Sequence, residues 1–139
     1  IVVLVISTLY KREEREIIRK LWANPAYSQQ TRVIFLVGIP SNGKPYSIDD
    51  EMKKYNDILQ VQMEETYRNL VYKIEIGFRW IVAQTRSDYI LKIDADTVVH
   101  IDRLSEQLKN IEKANTGNWI GCFKLSNASI VRDQCNPWF

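Results

Sequence analysis

The sequence predicts an α/β domain built on a mostly parallel sheet. Short runs of apolar, β-branched residues recur along the chain, and stretches with apolar residues at three- and four-residue steps lie between them. No internal repeat or low-complexity tract interrupts the alternation. Strand-like and helix-like periods that alternate in this way describe βαβ units, whose strands run parallel with helices packed on the faces.

Ile1–Leu9 is near-continuously apolar, as expected of a strand covered on both faces. Tyr10–Glu16 is highly charged, after which Ile17, Ile18, Leu21 and Trp22 fall on one helical face until Asn24-Pro25 stops the helix. Arg32–Gly38 is a second buried strand, and Ile39–Ser47, with Pro40, Pro45 and Asn42-Gly43, is a loop. Asp49-Asp50-Glu51 opens a helix, its acids at the positive end of the helix dipole. Asp57–Met63 reads as a short strand. The longest helical pattern runs from about Glu65 to Gln84, through Tyr67, Leu70, Val71, Ile74, Phe78 and Ile81, with Gly77 permitting close packing. Tyr89–Ile93 is a further strand. His100-Ile101-Asp102 leads into a helix that ends near Asn115-Thr116-Gly117, and Trp119–Lys124 and Ala128–Arg132 are expected as two short strands.

With 139 residues, 45% apolar and 26% charged, one globular domain over residues 1–139 is expected. A net charge of +2, with the basic residues scattered, argues against a nucleic-acid partner. No run approaches the ~20 apolar residues of a membrane helix. The chain opens in a strand without methionine or a signal-like segment, so an excerpt of a longer protein is expected, with any targeting signal or anchor outside it. Cys122, Cys135 and the acceptor triplet Asn127-Ala128-Ser129 tilt the reading toward an oxidising, secretory compartment.

The segment that carries chemistry is Tyr89–Val99. An apolar strand runs into Asp94 and Asp96, one residue apart. Alternate residues of an extended segment point the same way, which brings two hard oxygen ligands together at a strand end. Such a pair suits magnesium or manganese, and the carboxyl end of a parallel strand is where open α/β sheets bind ligands.

Several separated blocks resemble the β1,3-galactosyltransferase-type family of glycosyltransferases. They are Arg15-Glu16-Ile17-Ile18-Arg19-Lys20-Leu21-Trp22; Phe35-Leu36-Val37-Gly38; Glu51 with Tyr55-Asn56-Asp57-Ile58-Leu59; and Thr66-Tyr67-Arg68-Asn69-Leu70-Val71-Tyr72-Lys73. Trp80, Lys92, Asp94-Ala95-Asp96 and Val98-Val99 also fall in register with the family pattern, so the resemblance covers nearly the whole chain. Three departures stand out. Ala95 replaces the middle acid of the usual three, with a side chain expected to point away from a metal. Gln62 and Glu65 stand where relatives tend to carry aspartates. Thr85 stands where many carry a cysteine, which puts a family disulfide in doubt.

The resemblance implies a GT-A (Rossmann-like) fold, incomplete at its C-terminal side. It implies a metal-dependent, inverting transfer of galactose or N-acetylhexosamine from a UDP-sugar to a glycan hydroxyl on glycoprotein or glycolipid. Asp96 is then the direct ligand of Mn2+ or Mg2+, and Asp94 its partner, contacting ribose or a metal-bound water. Ser7 lies where the nucleotide should sit, and Lys73 either touches the donor or is a solvated helix lysine. Arg19 either reaches the diphosphate or holds the first helix by a salt bridge, while Arg15 leans to a structural or solvated role. Trp22 and Trp80 read as core aromatics, and His100 as a helix-start residue without catalytic duty. The catalytic base and the acceptor region are expected beyond residue 139, so the excerpt is expected to bind donor without turnover. Trp119, Ile120 and Phe123 are then under-buried. The resemblance further implies a Golgi-lumenal catalytic domain of a type II membrane protein, its anchor outside this segment, with Asn127 glycosylated. Two alternatives are a non-catalytic nucleotide-sugar-binding fragment and a haloacid-dehalogenase-like phosphatase, whose nucleophile loop Ile90–Val98 also fits.

Overall fold

The computed structural model describes residues 1–24, 30–41, 46–114, 117–122 and 126. The chain forms two compact units, Ile1–Gln107 and Leu108–Phe139. Its elements are β1 (Val2–Ile6), α1 (Arg12–Leu21), β2 (Arg32–Ile39), α2 (Asp49–Tyr55), β3 (Ile58–Glu64), α3 (Leu70–Gln84), β4 (Ile90–Asp94) and α4 (Ile101–Ala114). The four strands form one sheet in the order β3-β2-β1-β4, with every pair parallel. This is the expected α/β architecture and is consistent with a GT-A arrangement.

Alternation along the strands divides the core. Val3, Val5, Phe35 and Ile93 face one side of the sheet, where they bury Ile18 and Trp22 of α1 and Ile101 of α4. Val2, Leu4, Ile34 and Leu36 face the other side and bury Ile81, with Phe78 and Trp80 of α3 packed against them. A third, smaller cluster joins Leu9, Val37 and Ile48, with Met52 of α2 against it. Trp22 and Trp80 are thus core aromatics, as their place in apolar stripes suggested. Central β1 and β2 are deeply buried, whereas only Ile93 of β4 is buried. The strand feeding the two aspartates is therefore an edge of the described sheet rather than a fully covered strand.

Helix faces differ from the apolar pattern wherever a polar side chain claims the interior. On α1 the inward residues are Arg15 and Ile18, followed by Trp22 at the C-cap, while Ile17 and Leu21 are exposed. On α3 the inward row is Lys73, Gly77 and Ile81, while Val71, and Tyr67 ahead of the helix, are exposed. The α3 helix also begins five residues later than its periodicity suggests. The Glu65 amide extends the sheet by donating to the Ile39 carbonyl, and the Thr66 hydroxyl accepts the Asn69 amide, so residues 65–69 form a turn.

Two glycines mark close approaches. A Cβ at Gly38 would collide with the Met63 carbonyl where the β2–β3 register shifts. A Cβ at Gly77 would stand 2.9 Å from Leu36 Cδ2 and 3.0 Å from Leu4 Cδ2, confirming its packing role. In the second unit, residues 117–122 carry no regular structure, so the described part of the strand expected over Trp119–Lys124 is not formed. No ladder partner pairs with it among the described residues, and Ile120 and Trp119 are exposed as expected. Phe123, Asn127, Cys135 and the strand expected over Ala128–Arg132 lie outside the described residues.

Gly77→Val is expected to destabilise the protein by about 2 kcal/mol, because the added methyls overpack the α3–sheet contact. Thermal denaturation of the variant beside the unaltered protein measures this; an unchanged midpoint would show that α3 has room to spare.

Candidate functional site

The carboxyl edge of the sheet begins at Ser7, directly after β1. Arg15 and Arg19 lie one turn apart on α1, so their side chains leave the same helix face. Arg15 is completely buried and uses all five of its N–H donors. Nη1 donates to Ser7 Oγ at 3.1 Å and to the Thr8 carbonyl, and Nη2 to the Leu9 carbonyl at 3.3 Å. Nε and Nη2 grip both oxygens of Glu51 at 2.8 and 2.7 Å. The structural reading of Arg15 is the one found.

Arg19 completes the cluster. Its Nη1 donates to Glu51 at 2.8 Å, and its Nε and Nη2 make a bidentate pair with Asp57 at 2.7 and 2.8 Å. Its guanidinium also stacks 3.9 Å from the Tyr55 ring centroid. Of its two readings, the salt bridge that holds the first helix is present. Arg19 lines a cavity of about 540 Å3 beside Arg32, Val33 and Asp57, at the amino ends of β2 and β3, the opposite edge from Asp94.

Burial alone would raise the Glu51 carboxyl. Hydrogen bonds and charge from Arg15 and Arg19 outweigh burial and hold it below the usual carboxylate range. Burial likewise works against the Arg19 charge, but Asp57 and Glu51 raise its guanidinium above its ordinary value.

From the other face of the sheet, Lys73 reaches the same strand end. Its Nζ donates to the Ser7 carbonyl at 2.7 Å and to both Glu65 oxygens at 2.8 Å. Glu65 in turn accepts the Gly38 amide at the end of β2. Lys73 is buried, so the solvated reading is corrected. Burial pulls its ammonium below the usual lysine range, with Glu65 partly offsetting it. Ser7 is only 3% exposed, and its hydroxyl and carbonyl are both engaged within the protein. The two residues brace the strand end from beneath.

The pair assigned to a metal lies one strand over. Ile6 of β1 is in register with Asp94 of β4. The strand ends at Asp94, and the chain then turns, with the Thr97 amide donating to the Asp94 carbonyl at 3.2 Å. Strand alternation therefore does not orient Asp96; a turn does. Asp94 and Asp96 are both exposed, whereas Ala95 packs against the apolar cluster around Ile93 and Ile101. Asp94 accepts from Lys92 Nζ at 2.9 Å in an exposed pair of the kind worth at most about 1 kcal/mol, easily yielded to a cation. Among the described residues no group of three or more His, Cys, Asp or Glu side chains is placed to hold a metal. Two carboxylates on an open turn fit Mg2+ or Mn2+ bound jointly with substrate phosphates, which keep the remaining positions for water and phosphate oxygen. His100 sits at the start of α4, its Nδ1 facing the Arg103 amide at 3.4 Å.

Glu51, Asp57 and Glu65 were missed as partners. A pair of arginines at i and i+4 in an otherwise apolar helical stripe was the available signal that buried acids must exist elsewhere. Glu51→Ala should cost about 3–5 kcal/mol, because it leaves Arg15 buried without its counter-charge. The depressed Glu51 carboxyl contributes stability that is complete above the ordinary carboxylate pKa and is lost as pH falls through its folded value. Melting temperatures across the acid range should therefore fall less steeply for Glu51→Gln than for the unaltered protein; parallel curves would show that Glu51 is not coupled to the arginines.

Residues 13–139 match the family model described as Galactosyltransferase. Among curated relatives, beta-1,3-galactosyltransferase 5 of Gorilla gorilla gorilla is 27% identical over 143 aligned residues, covering 100% of this chain and 47% of that protein. Beta-1,3-galactosyltransferase 2 of Mus musculus is 26% identical, covering 91% of this chain and 32% of that protein. The lactosylceramide 1,3-N-acetyl-beta-D-glucosaminyltransferase of Xenopus tropicalis is 30% identical, covering 79% and 32%. The chain thus spans at most about half the length of these relatives. With the family model matched over nearly its whole length, the chain belongs to the galactosyltransferase family.

Proposed function

We propose that this chain supplies the donor-binding part of a metal-dependent hexosyltransferase. The reaction moves galactose or an N-acetylhexosamine from a UDP-sugar to a glycan hydroxyl, with inversion and a β1,3 linkage. The observation that carries the proposal is the exposed Asp94–Asp96 turn at the carboxyl end of a parallel strand, in a chain of this family. Relatives named for galactosyl and N-acetylglucosaminyl transfer support the sugar class. Membership of this family removes the basis for the phosphatase alternative.

Asp96 would hold Mn2+ or Mg2+ directly, and Asp94, released from Lys92, would hold ribose or a metal-bound water. When bound, the cation stabilises the negative charge that builds on the departing diphosphate. Ser7 and Lys73 act beneath the donor by fixing the end of β1, since their polar atoms already serve one another and Glu65. No described residue is assigned as the base that takes the acceptor proton.

Titration calorimetry tests this reading. UDP should bind with manganese or magnesium and weaken at least tenfold with chelator. Asp96→Ala should abolish binding, while Asp102→Ala, on α4, should leave it intact. Equal affinity with and without chelator would refute the metal assignment.

The compartment proposed is the Golgi lumen. Among the described residues no helix is long and apolar enough to cross a membrane, so an anchor would lie elsewhere. Expressed in the secretory pathway of eukaryotic cells, the protein should carry a glycan on Asn127, seen as a mobility shift on glycosidase treatment that Asn127→Gln removes. An unchanged mobility would count against that compartment.

A further inference from the structure

We propose that the cavity at the amino edge of the sheet is a second binding site, one that takes a sugar-sized phosphate monoester. It is independent of the donor-site reading. Its walls are the later part of α1, the first residues of β2 and the turn from α2 into β3, at the opposite edge of the sheet from Asp94. At about 540 Å3 it falls in the size range of sites for small organic ligands.

The charges lining the cavity set the sign of the ligand. Its two carboxylates are already answered: Glu16 accepts from Arg12 at 3.3 Å, and both oxygens of Asp57 are held by Arg19 at 2.7 and 2.8 Å. Arg15 and Arg19 together balance Glu51 and Asp57, so the buried network is neutral. Lys20 and Arg32 remain. Both are exposed, and among the described residues neither side chain has a hydrogen bond or ion pair. Residues 25–29, which lie between them in the chain, contain no acid. Two elements therefore bring a surplus of two positive charges to one cavity, and a phosphate monoester carries close to two negative charges at neutral pH.

Arg19 adds donors that the interior does not use. Its side chain is only 10% exposed, and three of its N–H groups are taken by Glu51 and Asp57, whereas a guanidinium carries five. It is also held in place by stacking, 3.9 Å from the Tyr55 ring centroid and 4.9 Å from that of Phe35. A donor fixed in this way meets an anion with little loss of side-chain freedom, and hydrogen bonds between two ionised groups are the strong ones. Ala23 and Val33 give the cavity an apolar wall, and Asn56 brings an amide that both donates and accepts. That lining suits a carbon ring bearing hydroxyls better than a bare ion.

The test is calorimetric titration of glucose 6-phosphate, glucose 6-sulfate and glucose, in chelator so that metal-assisted binding at the aspartate turn is silent. The proteins are the unaltered chain, Lys20→Gln, Arg32→Gln, the double variant and Asp96→Ala. Glucose 6-phosphate should bind the unaltered protein and Asp96→Ala alike. Lys20→Gln and Arg32→Gln should each weaken it about tenfold, the loss of one contact to a charged group, and the double variant should abolish binding. Glucose 6-sulfate, with one charge fewer, should bind more weakly, and glucose not at all. Both substituted side chains are exposed, so circular dichroism should show an unaltered fold. Failure of glucose 6-phosphate to bind the unaltered protein overturns the site, as does affinity retained within twofold by the double variant. Equal binding of the sulfate or of glucose overturns the charge match and the site with it. A loss in Asp96→Ala would place the ligand at the donor edge and overturn it too, whereas absence of metal-assisted UDP binding bears on the donor-site reading alone.

Discussion

The structure depends on a buried positive charge that has one indispensable partner. Arg15 sits with no solvent contact between the first strand and α2, and among the described residues Glu51 supplies the only carboxylate it meets. Burying an isolated guanidinium in an apolar interior is prohibitively costly, so α1, α2 and the end of β1 are held in a single arrangement that satisfies all of its donors. Glu51 also serves Arg19, and through Arg19 reaches Asp57 at the entry to β3. Two stretches distant in sequence, the end of β1 with α1 and α2 with the entry to β3, are thereby joined through one carboxylate and two arginines.

This convergence explains the division of labour at the carboxyl edge. Polar residues that look available for a ligand, Ser7 and Lys73 among them, are occupied in holding backbone. The Asp94–Asp96 turn, past the end of its strand, is left to meet solvent. A fixed interior network beneath an open, polar rim is what a binding site needs if it is to hold a ligand with little reorganisation.

The four strands of the sheet were legible because β-branched runs are a local signal; β2, β3 and β4 lie within one residue of their expected bounds, and β1 ends three residues early, at Ile6. The inward faces of α1 and α3 were not legible, since Arg15 and Lys73 look like surface residues until their partners, 36 and 8 positions away, are known. From the local pattern Glu51 read as an acid suited to a helix start, a role it also satisfies; the family resemblance set it apart from Asp49 and Asp50 but named no partner for it. The aspartate pair was found because its members are neighbours in sequence. The strand stops at Asp94, so the turn that follows, and not strand alternation, places Asp96. The expected strand near Trp119 failed for a complementary reason: apolar alternation is necessary for a strand, but a ladder partner is what makes one.

Gly77 has a consequence beyond packing. Lys73, Gly77 and Ile81 form one row on α3, and at 1.5 Å per residue Gly77 lies about 6 Å along the helix from Lys73. The missing side chain lets the helix axis settle close to Leu4 and Leu36, and that closeness fixes how far a lysine stem must stretch to meet the Ser7 carbonyl. Glycine here acts as a ruler: it sets the length scale on which the ammonium can grip the strand end. Any bulk at position 77 would lever α3 outward about its contact with the sheet, and Lys73 would be drawn off Ser7 with its own charge and hydrogen-bonding groups unaltered.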